Sequence, residues 1–319
     1  MAGTAQDQKM FVGIDVSKDK LDVHIHPVGE SFGVPRTEDG LEQLVSRLKS
    51  HDLAVIAIEA TGGFEVIVVA ALAAAELPVA VVNPKRIHNY AKALGVNAKT
   101  DVIDAAVMAR FACDVKPAIR PLPDAETLVL GEVLTRRRQI VQMITAEKNR
   151  ALRMASHIQM QKSIGRMIAA LEAELARLDD TIDGMVKGSP LWSEKEELLS
   201  SVPGVGKIIA RTLLAEMPEL GRLDRRQVAA LAGLAPWTRQ SGQWRGHSMI
   251  GGGRAVPRTV LFLGAMAAMR HNPDLKAFSL RLLNAGKPKK VVITAISRKL
   301  LTILNAILRD GTPWQPKTT

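Results

Sequence analysis

The chain has 319 residues, 47% of them hydrophobic, so it is long enough for two domains with a substantial core, and global disorder is not expected. A single cysteine excludes a disulfide framework and an all-cysteine metal site. Because no apolar run reaches the ~18 residues of a membrane span and the N-terminus does not resemble a signal peptide, we expect a soluble cytoplasmic protein with no membrane partner.

Charge is unevenly distributed along the chain. The net charge is +11, which indicates a polyanionic partner. From Pro236 to Thr319 there are 14 Lys or Arg residues and only two acids, whereas the charges before Pro236 nearly balance. This division indicates that one part of the chain handles a metal and another part handles phosphates.

Strand and helix patterns alternate over the first hundred residues. Strands are expected at Met10–Val16, Lys20–His26, Leu53–Glu59 and Val79–Asn83. Helices are expected at Thr37–Ser50, Phe64–Glu76, Ile87–Leu94 and Thr100–Cys113. This alternation of strands and helices predicts an α/β domain with a mixed sheet.

The proline-rich segment Lys116–Asp124 is the best domain boundary, and helices dominate after it. A long helix is predicted at Thr127–Ser156. The next helix carries an apolar seam with gaps of four and three residues, at Leu171, Leu175, Leu178, Ile182 and Met185. This seam fits a coiled coil or, equally well, a helical hairpin within one chain. We expect three parts: a catalytic domain at 1–115, a linker and helical arm at 116–190, and a helical domain at 191–319.

Four acids in the first domain are candidate metal ligands. Asp15 and Glu59 lie at the ends of predicted strands, and Asp101 and Asp104 are three residues apart at the start of a helix. Carboxylates that converge in this way suit Mg²⁺ or Mn²⁺, and two such ions can assist phosphodiester chemistry. Taken alone, Asp15 could equally be a turn former and Asp101 a helix cap.

Two glycine-containing segments in the second half are candidate DNA contacts. The segment 201–207, SVPGVGK, is typical of a helix-hairpin-helix, in which Gly204, Gly206 and Lys207 approach a DNA phosphate; an ordinary helix–helix turn is the alternative. The stretch 240–257 contains five glycines and Ser241. A serine hydroxyl needs electrostatic help to attack a phosphodiester, and Arg239, Arg245 and Arg254 are predicted to hold the phosphate.

Ser241 could instead belong to a flexible Ser/Gly loop with no chemical role, and His247 is either a base or a surface residue. Further along, the basic GKPKK stretch lies between two apolar helices, Val260–Met269 and Val291–Leu308. Its Lys287, Lys289 and Lys290 are expected to bind nucleic acid.

Together these motifs resemble the DEDD-type transposases of bacterial insertion sequences, a group related to the Piv DNA invertase. The matching segments run in family order: GIDVSKDKLDV at 13–23, IEATGGFE at 58–65, VNPKRI at 82–87, KTDVIDA at 99–105, SVPGVGK at 201–207 and LAGLAPWTRQSG at 231–242. The resemblance implies a ribonuclease H/RuvC-like N-terminal domain in which Asp15, Glu59, Asp101 and Asp104 fill the DEDD positions. It also implies a helical transposase domain in which Ser241 is the catalytic serine.

The same resemblance implies donor and target DNA as partners, a structured bridge RNA as guide, and dimers that combine into tetramers through a coiled-coil arm. It further implies a covalent phosphoserine intermediate, formed beside carboxylate-bound Mg²⁺ that another subunit supplies. The segment 243–259 departs from the family because it is glycine-rich where relatives more often have Ser, Lys and Arg, so phosphate binding there is expected to differ from that of relatives.

Three other functions fit parts of the pattern. A metal-dependent junction nuclease would use water in place of Ser241, and a nucleic-acid-binding regulator would keep the fold without the chemistry. An actin-like ATPase would share the first two strands, but it needs a phosphate-binding loop, and the only candidate is the weak Thr61-Gly62-Gly63.

Overall fold

The structure is a computed structural model that describes residues 9–60, 62–96, 101–119, 124–153, 157–238, 240–241, 244–246 and 248–316. The chain divides into two compact units, Met1–Leu122 and Pro123–Thr319, which are described in turn.

The first unit is built on a five-stranded mixed sheet. Its elements are β1 (Met10–Val16), β2 (Lys20–His26), β3 (Glu30–Pro35), α1 (Glu38–Lys49), β4 (Leu53–Glu59), α2 (Glu65–Ala74), β5 (Val79–Val82), α3 (Pro84–Ala93) and α4 (Asp101–Val115). The strand order is β3-β2-β1-β4-β5. The first three strands are antiparallel to their neighbours in sequence, whereas β4 is parallel to β1 and to β5. The predicted mixed α/β domain is confirmed.

The two faces of the sheet pack on different helices because side chains alternate along a strand. Val12 and Ile14 of β1 join a core that includes Leu44 of α1 and residues of α2. Phe11 faces the other way and packs on a second core made by α3 and α4. Odd-numbered positions of β1, including Asp15, therefore face the α4 side.

The second unit is mostly helical. Its helices are α5 (Ala125–Arg153), α6 (Ile158–Gly188), α7 (Pro190–Ser200), α8 (Lys207–Glu216), α9 (Arg225–Leu231), α10 (Ala255–His271), α11 (Pro273–Asn284) and α12 (Lys289–Asp310). Four strands of two residues each lie between α9 and α10: β6 (Pro236–Trp237), β7 (Gln240–Ser241), β8 (Trp244–Arg245) and β9 (Met249–Ile250).

Helices α5 and α6 form an antiparallel hairpin within the chain. Arg137 pairs with Asp179 at 2.5 Å, and Lys148 pairs with Glu172 at 2.8 Å, so the helices run in opposite directions. Ile182 of the predicted seam is fully buried in a cluster with Leu130 of α5. Of the two arrangements that the seam left open, the structure contains the intrachain hairpin; a coiled coil between chains is not shown.

The core of the second unit is centred on α8, α10 and α12, where Leu213, Leu261 and Leu300 are completely buried. Among the described residues, α12 is the one helix long and apolar enough to cross a membrane, contrary to the expectation that no segment reaches that length. Half of this stretch is buried inside the unit, as is usual for a core helix of a soluble protein.

Candidate active-site residues

Asp15 and Glu59 lie side by side on two parallel strands. Ile14 of β1 is paired with Ile58 of β4, so the two acids occupy the next position of each strand. Val55, Ala57 and Glu59 are alternate residues of β4, so their side chains point to the same face of the sheet. Val55 and Ala57 pack on the α4 side of the sheet. Both acids are half-buried, and both face the same helix.

Helix α4 brings Asp104 to this part of the sheet. A Cβ atom added at Gly13 would lie 2.1 Å from the carbonyl oxygen of Ala105 and 2.4 Å from the amide nitrogen of Ala109, so α4 rests directly on β1. Only a glycine permits this approach. Asp104 precedes Ala105 and is half-buried, and Asp101 is the first residue of α4. The backbone thus brings Asp104 to the strand that carries Asp15.

The donor chemistry of these carboxylates suits a hard cation, because Mg²⁺ prefers oxygen ligands. Within the part of the chain whose side chains are described, no three His, Cys, Asp or Glu residues are gathered closely enough to hold a metal ion. The side chain of Asp101 lies outside that part. The fold therefore brings the backbone positions of Asp15, Glu59 and Asp104 to one region of the sheet, while a ligand cluster is not shown among the described side chains.

A fifth acid, Asp22, was missed by the sequence analysis. It lies directly opposite Asp15 in the β1–β2 ladder, is 4% exposed, and pairs with Lys20 Nζ at 2.5 Å. Gly33 lies opposite Asp22 on β3, and a Cβ atom there would be 2.7 Å from Lys20 Cε. The alternation of the sequence LDVHIH, together with the tight turn before it, could have placed Asp22 beside Asp15.

Ser241 lies on a small β-hairpin rather than in an irregular loop. Trp237 pairs with Met249 in an outer ladder, and Ser241 pairs with Trp244 in an inner ladder. Ser241 is exposed. The sequence analysis expected no strand here, because two-residue strands are too short for the alternation of apolar and polar residues to be visible.

The base of this serine hairpin, residues 236–253, is held by two arginines that follow it. Arg254 donates hydrogen bonds to both carboxylate oxygens of Glu219, at 2.6 and 2.7 Å, and to the carbonyl oxygen of Glu216 at 2.7 Å. Arg258 donates to the carbonyl oxygen of Gly252 at 2.6 Å. The predicted phosphate contact of Arg254 is therefore not supported, because its guanidinium is engaged with the protein.

Glycines at the hairpin base add a backbone contact. Gly233 and Gly253 have φ of 67° and 60°, in the left-handed region that favours glycine. A Cβ atom at Gly253 would lie 2.3 Å from the amide nitrogen of Gly233, so the two backbones touch. Gly253, one of the glycines that suggested a flexible loop, is therefore required for the close packing of two backbone segments.

The predicted helix-hairpin-helix segment forms the turn between α7 and α8. Gly204 has φ of 103°, and a Cβ atom there would lie 2.6 Å from the amide nitrogen of Ala268, so this glycine is required by packing on α10. Gly206 precedes α8 and Lys207 begins it; both are exposed. Only the end of the segment, Gly206 and Lys207, is free to approach a phosphate.

The remaining predicted nucleic-acid contacts differ in how well they are placed. Lys287 lies between α11 and α12, Lys289 and Lys290 begin α12, and all three are exposed. On the neighbouring surface, Lys299 Nζ lies 4.4 Å from the centre of the Phe278 ring. Arg239, His247 and the side chain of Arg245 lie outside the described residues.

Comparison with known proteins identifies the family. Residues 12–159 match the family of DEDD transposases of the IS110 type. Residues 196–280 match the IS116/IS110/IS902 family of transposases. The chain belongs to the IS110/IS116/IS902 family of transposases. The two matches contain the acids and Ser241, respectively, so every predicted catalytic residue lies within a family segment.

Full-length relatives of this transposase include the pilin gene-inverting proteins of Moraxella bovis and Moraxella lacunata. Each is 29% identical over 320 residues, covering 97% of this chain and 98% of the relative. An uncharacterized 42 kDa protein of insertion element IS900 from Mycobacterium paratuberculosis is 30% identical over 50% of this chain and 41% of its own length. The predicted family, an insertion-sequence transposase of the Piv-related kind, is confirmed, and a transposase acts on DNA.

Proposed function

We propose that this transposase cuts and rejoins DNA strands through a covalent bond between Ser241 and a DNA phosphate. The observation that carries the proposal is the exposed serine on a hairpin whose base is held by the ion pair between Arg254 and Glu219, which are 34% and 10% exposed. A nuclease that activates water does not need a serine held in this way. The inverting activity in the names of the Moraxella relatives supports the same chemistry.

The reaction has two balanced steps. In the first, Ser241 Oγ attacks phosphorus, the bond from phosphorus to the 3′ oxygen breaks, and the proton from serine ends on the leaving 3′ oxygen. In the second, a 3′-hydroxyl of the exchanged strand attacks the phosphoserine, and serine regains its proton. The number of phosphate ester bonds is conserved, so no ATP is required.

Asp15, Glu59, Asp101 and Asp104 would hold Mg²⁺ or Mn²⁺ beside the phosphate. The bound ion would offset the negative charge that develops on the phosphate oxygens. The adjacency of Asp15 and Glu59 and the close approach of α4 to β1 support this assignment. The sheet order β3-β2-β1-β4-β5, with three antiparallel strands followed by two parallel ones, supports a ribonuclease H/RuvC-like catalytic domain over residues 1–115.

The rest of the chain would handle nucleic acid and assembly. Gly206 and Lys207, as the exposed end of a helix-hairpin-helix, would contact the DNA backbone together with the lysines at the start of α12, Lys287, Lys289 and Lys290. Arg239 and Arg245 would hold the phosphate at Ser241, and a bridge RNA would guide the choice of donor and target DNA. The hairpin of α5 and α6, within the arm 116–190, would join dimers into tetramers; its exposed apolar residues include Leu152 (79% exposed) and Ile158 (68% exposed).

A trapped intermediate tests the chemistry. The substrate is DNA from both borders of the gene, with sulfur in place of the 3′ bridging oxygen at the cut site. Cutting releases a 3′-thiol, which attacks the phosphoserine only slowly, so the covalent adduct accumulates. The wild-type protein should form an adduct that survives denaturation and disappears in Ser241→Ala. Ser248→Ala is the matched control, because it removes an exposed hydroxyl from the same hairpin. Free 5′-phosphates without an adduct would favour the junction nuclease, and no cleavage at all would favour a regulator.

A further inference from the structure

An exposed apolar pair lies on the serine hairpin. Trp237 and Met249 are directly opposite each other in the outer ladder and are 51% and 56% exposed. The neighbouring Ile250 is 38% exposed. Side chains that are directly opposite in a ladder share one face, so Trp237 and Met249 form one apolar surface.

The indole of Trp237 is held at one edge. A Cβ atom at Gly252 would lie 3.4 Å from Trp237 Cζ2, so this ring atom lies over the glycine at the hairpin base. Arg258 in turn holds the carbonyl of Gly252. The indole thus lies next to the hairpin base at Cζ2 while Trp237 is half exposed, which leaves aromatic surface for a stacking partner.

The charge around this surface selects the class of partner. Residues 236–258 contain four arginines and no acid, and although Arg254 is paired with Glu219 the segment keeps an excess of positive charge. A partner that meets both this basic segment and an indole has to be anionic and present flat apolar faces. A DNA strand does so, because each nucleotide joins a phosphate to a base, and bases stack on exposed aromatic side chains whatever their sequence.

We propose that Trp237, with Met249 beside it, stacks on an unpaired base of the DNA strand that Ser241 attacks. The proposal rests on the proposed function, because it takes the serine hairpin to be the part that meets the cut strand. The four residues from Trp237 to Ser241 span at most ~14 Å. Since one DNA strand rises ~3.4 Å per nucleotide, the stacked base lies within about five nucleotides of the scissile phosphate.

Binding of single-stranded DNA to the full chain tests the proposal without any need for cutting. Two fluorescent probes of equal length are compared, one of mixed sequence and one with every base removed. Trp237→Ala should bind the mixed probe roughly 5- to 100-fold more weakly and leave binding of the abasic probe within about twofold of wild type. Trp237→Phe should keep most of the base preference.

Leu280→Ala is the matched control, because it removes a 50% exposed apolar side chain from α11 of the same unit. Equal losses on both probes, or no loss on either, would overturn the proposal. So would a base preference that appears only with RNA of the same sequence. If Trp237→Ala dissociates an oligomer in sedimentation runs while the base preference stays, the surface is a subunit contact and the proposal fails.

The result also separates this inference from the covalent chemistry. Ser241→Ala should bind both probes as the wild type does, because its hydroxyl contributes to cutting and not to stacking. If no adduct ever forms but Trp237 still confers the base preference, the serine mechanism fails and the stacking site stands. If an adduct forms and Trp237→Ala shows no base effect, the reverse holds.

Discussion

Glu219 and Arg254 form a two-point ion pair at the base of the serine hairpin, with oxygen–nitrogen distances of 2.6 and 2.7 Å. The Glu219 side chain is 10% exposed and that of Arg254 is 34% exposed. Because planar guanidinium and carboxylate groups meet at two atoms, the pair fixes direction as well as distance. It therefore constrains the orientation of the hairpin that carries Ser241 at the start of α10.

Arg254→Ala is expected to reduce cutting strongly while leaving DNA affinity and its dependence on salt unchanged. Loss of the partner leaves Glu219 buried without this cation and should cost about 2–3 kcal/mol of unfolding free energy, less than for a fully buried pair. The measurements are adduct formation, denaturant unfolding and a salt titration of DNA binding. Hydrogen exchange should rise at the hairpin residues.

Two variants calibrate the Arg254 experiment. Arg270→Ala removes an exposed arginine from the other end of α10 and should not affect the hairpin. Lys289→Glu should weaken DNA binding and flatten its salt dependence, because it reverses a charge expected to contact phosphate. If Arg254→Ala behaves like Lys289→Glu, then Arg254 binds phosphate after all.

Asp104→Asn and Asp101→Asn are expected to abolish cutting while leaving nucleic-acid affinity intact or stronger. Each change removes a metal ligand and also one negative charge that repels phosphate. Adduct formation and DNA binding without added metal are measured on the same samples. Asp39→Asn serves as the control, because Asp39 is an exposed acid in the first turn of α1. A large loss of affinity in either test variant would contradict the assignment.

The sequence predicted best those helices and strands in which the apolar spacing repeats over many residues. Four of the five strands of the first unit and the two long helices were predicted because several turns or strand positions repeat the same apolar spacing, whereas β3 (Glu30–Pro35) was not placed. The pairing of Asp15 with Asp22 was not predicted, since it depends on the register of β1 and β2, which a sequence specifies only indirectly. A phosphate contact was predicted for Arg254 because it is a basic residue near a candidate serine, and its ion pair with Glu219 is visible only in the fold.

Tyr90 provides a direct test of the α3–α4 contact. Burial, together with a hydrogen bond from its hydroxyl to Asp114, raises the pKa of Tyr90 to about 12. It is the single tyrosine of the chain, so ultraviolet absorbance follows its ionisation alone. The midpoint should lie near pH 12 in the folded protein and near 10 in guanidinium chloride.

Because the folded pKa of Tyr90 is raised, its contribution to stability is fully present below pH ~10 and is lost as the pH rises towards 12. In Asp114→Asn the midpoint should fall, since the negative charge that opposes phenolate formation is gone. Circular dichroism on the same samples confirms that helices persist. A folded-state midpoint near 10 in the wild type would show that the contact between Tyr90 and Asp114 does not form.

The contact between Gly33 and Lys20, close to Asp15, can be tested by whether Gly33→Ala lowers or raises the free energy of unfolding. In the wild-type protein, Gly33→Ala should destabilise the fold by about 0.5–1 kcal/mol, because the added methyl group displaces the half-exposed end of the lysine that pairs with Asp22. Gly33 lies on an ordinary strand backbone, so alanine is not strained there. In a Lys20→Ala background the methyl group has room, and the same change should be neutral or stabilise by about 0.4–1 kcal/mol. Denaturant unfolding of the four proteins measures both values, and a loss of equal size in the two backgrounds would show that Lys20 does not lie over Gly33.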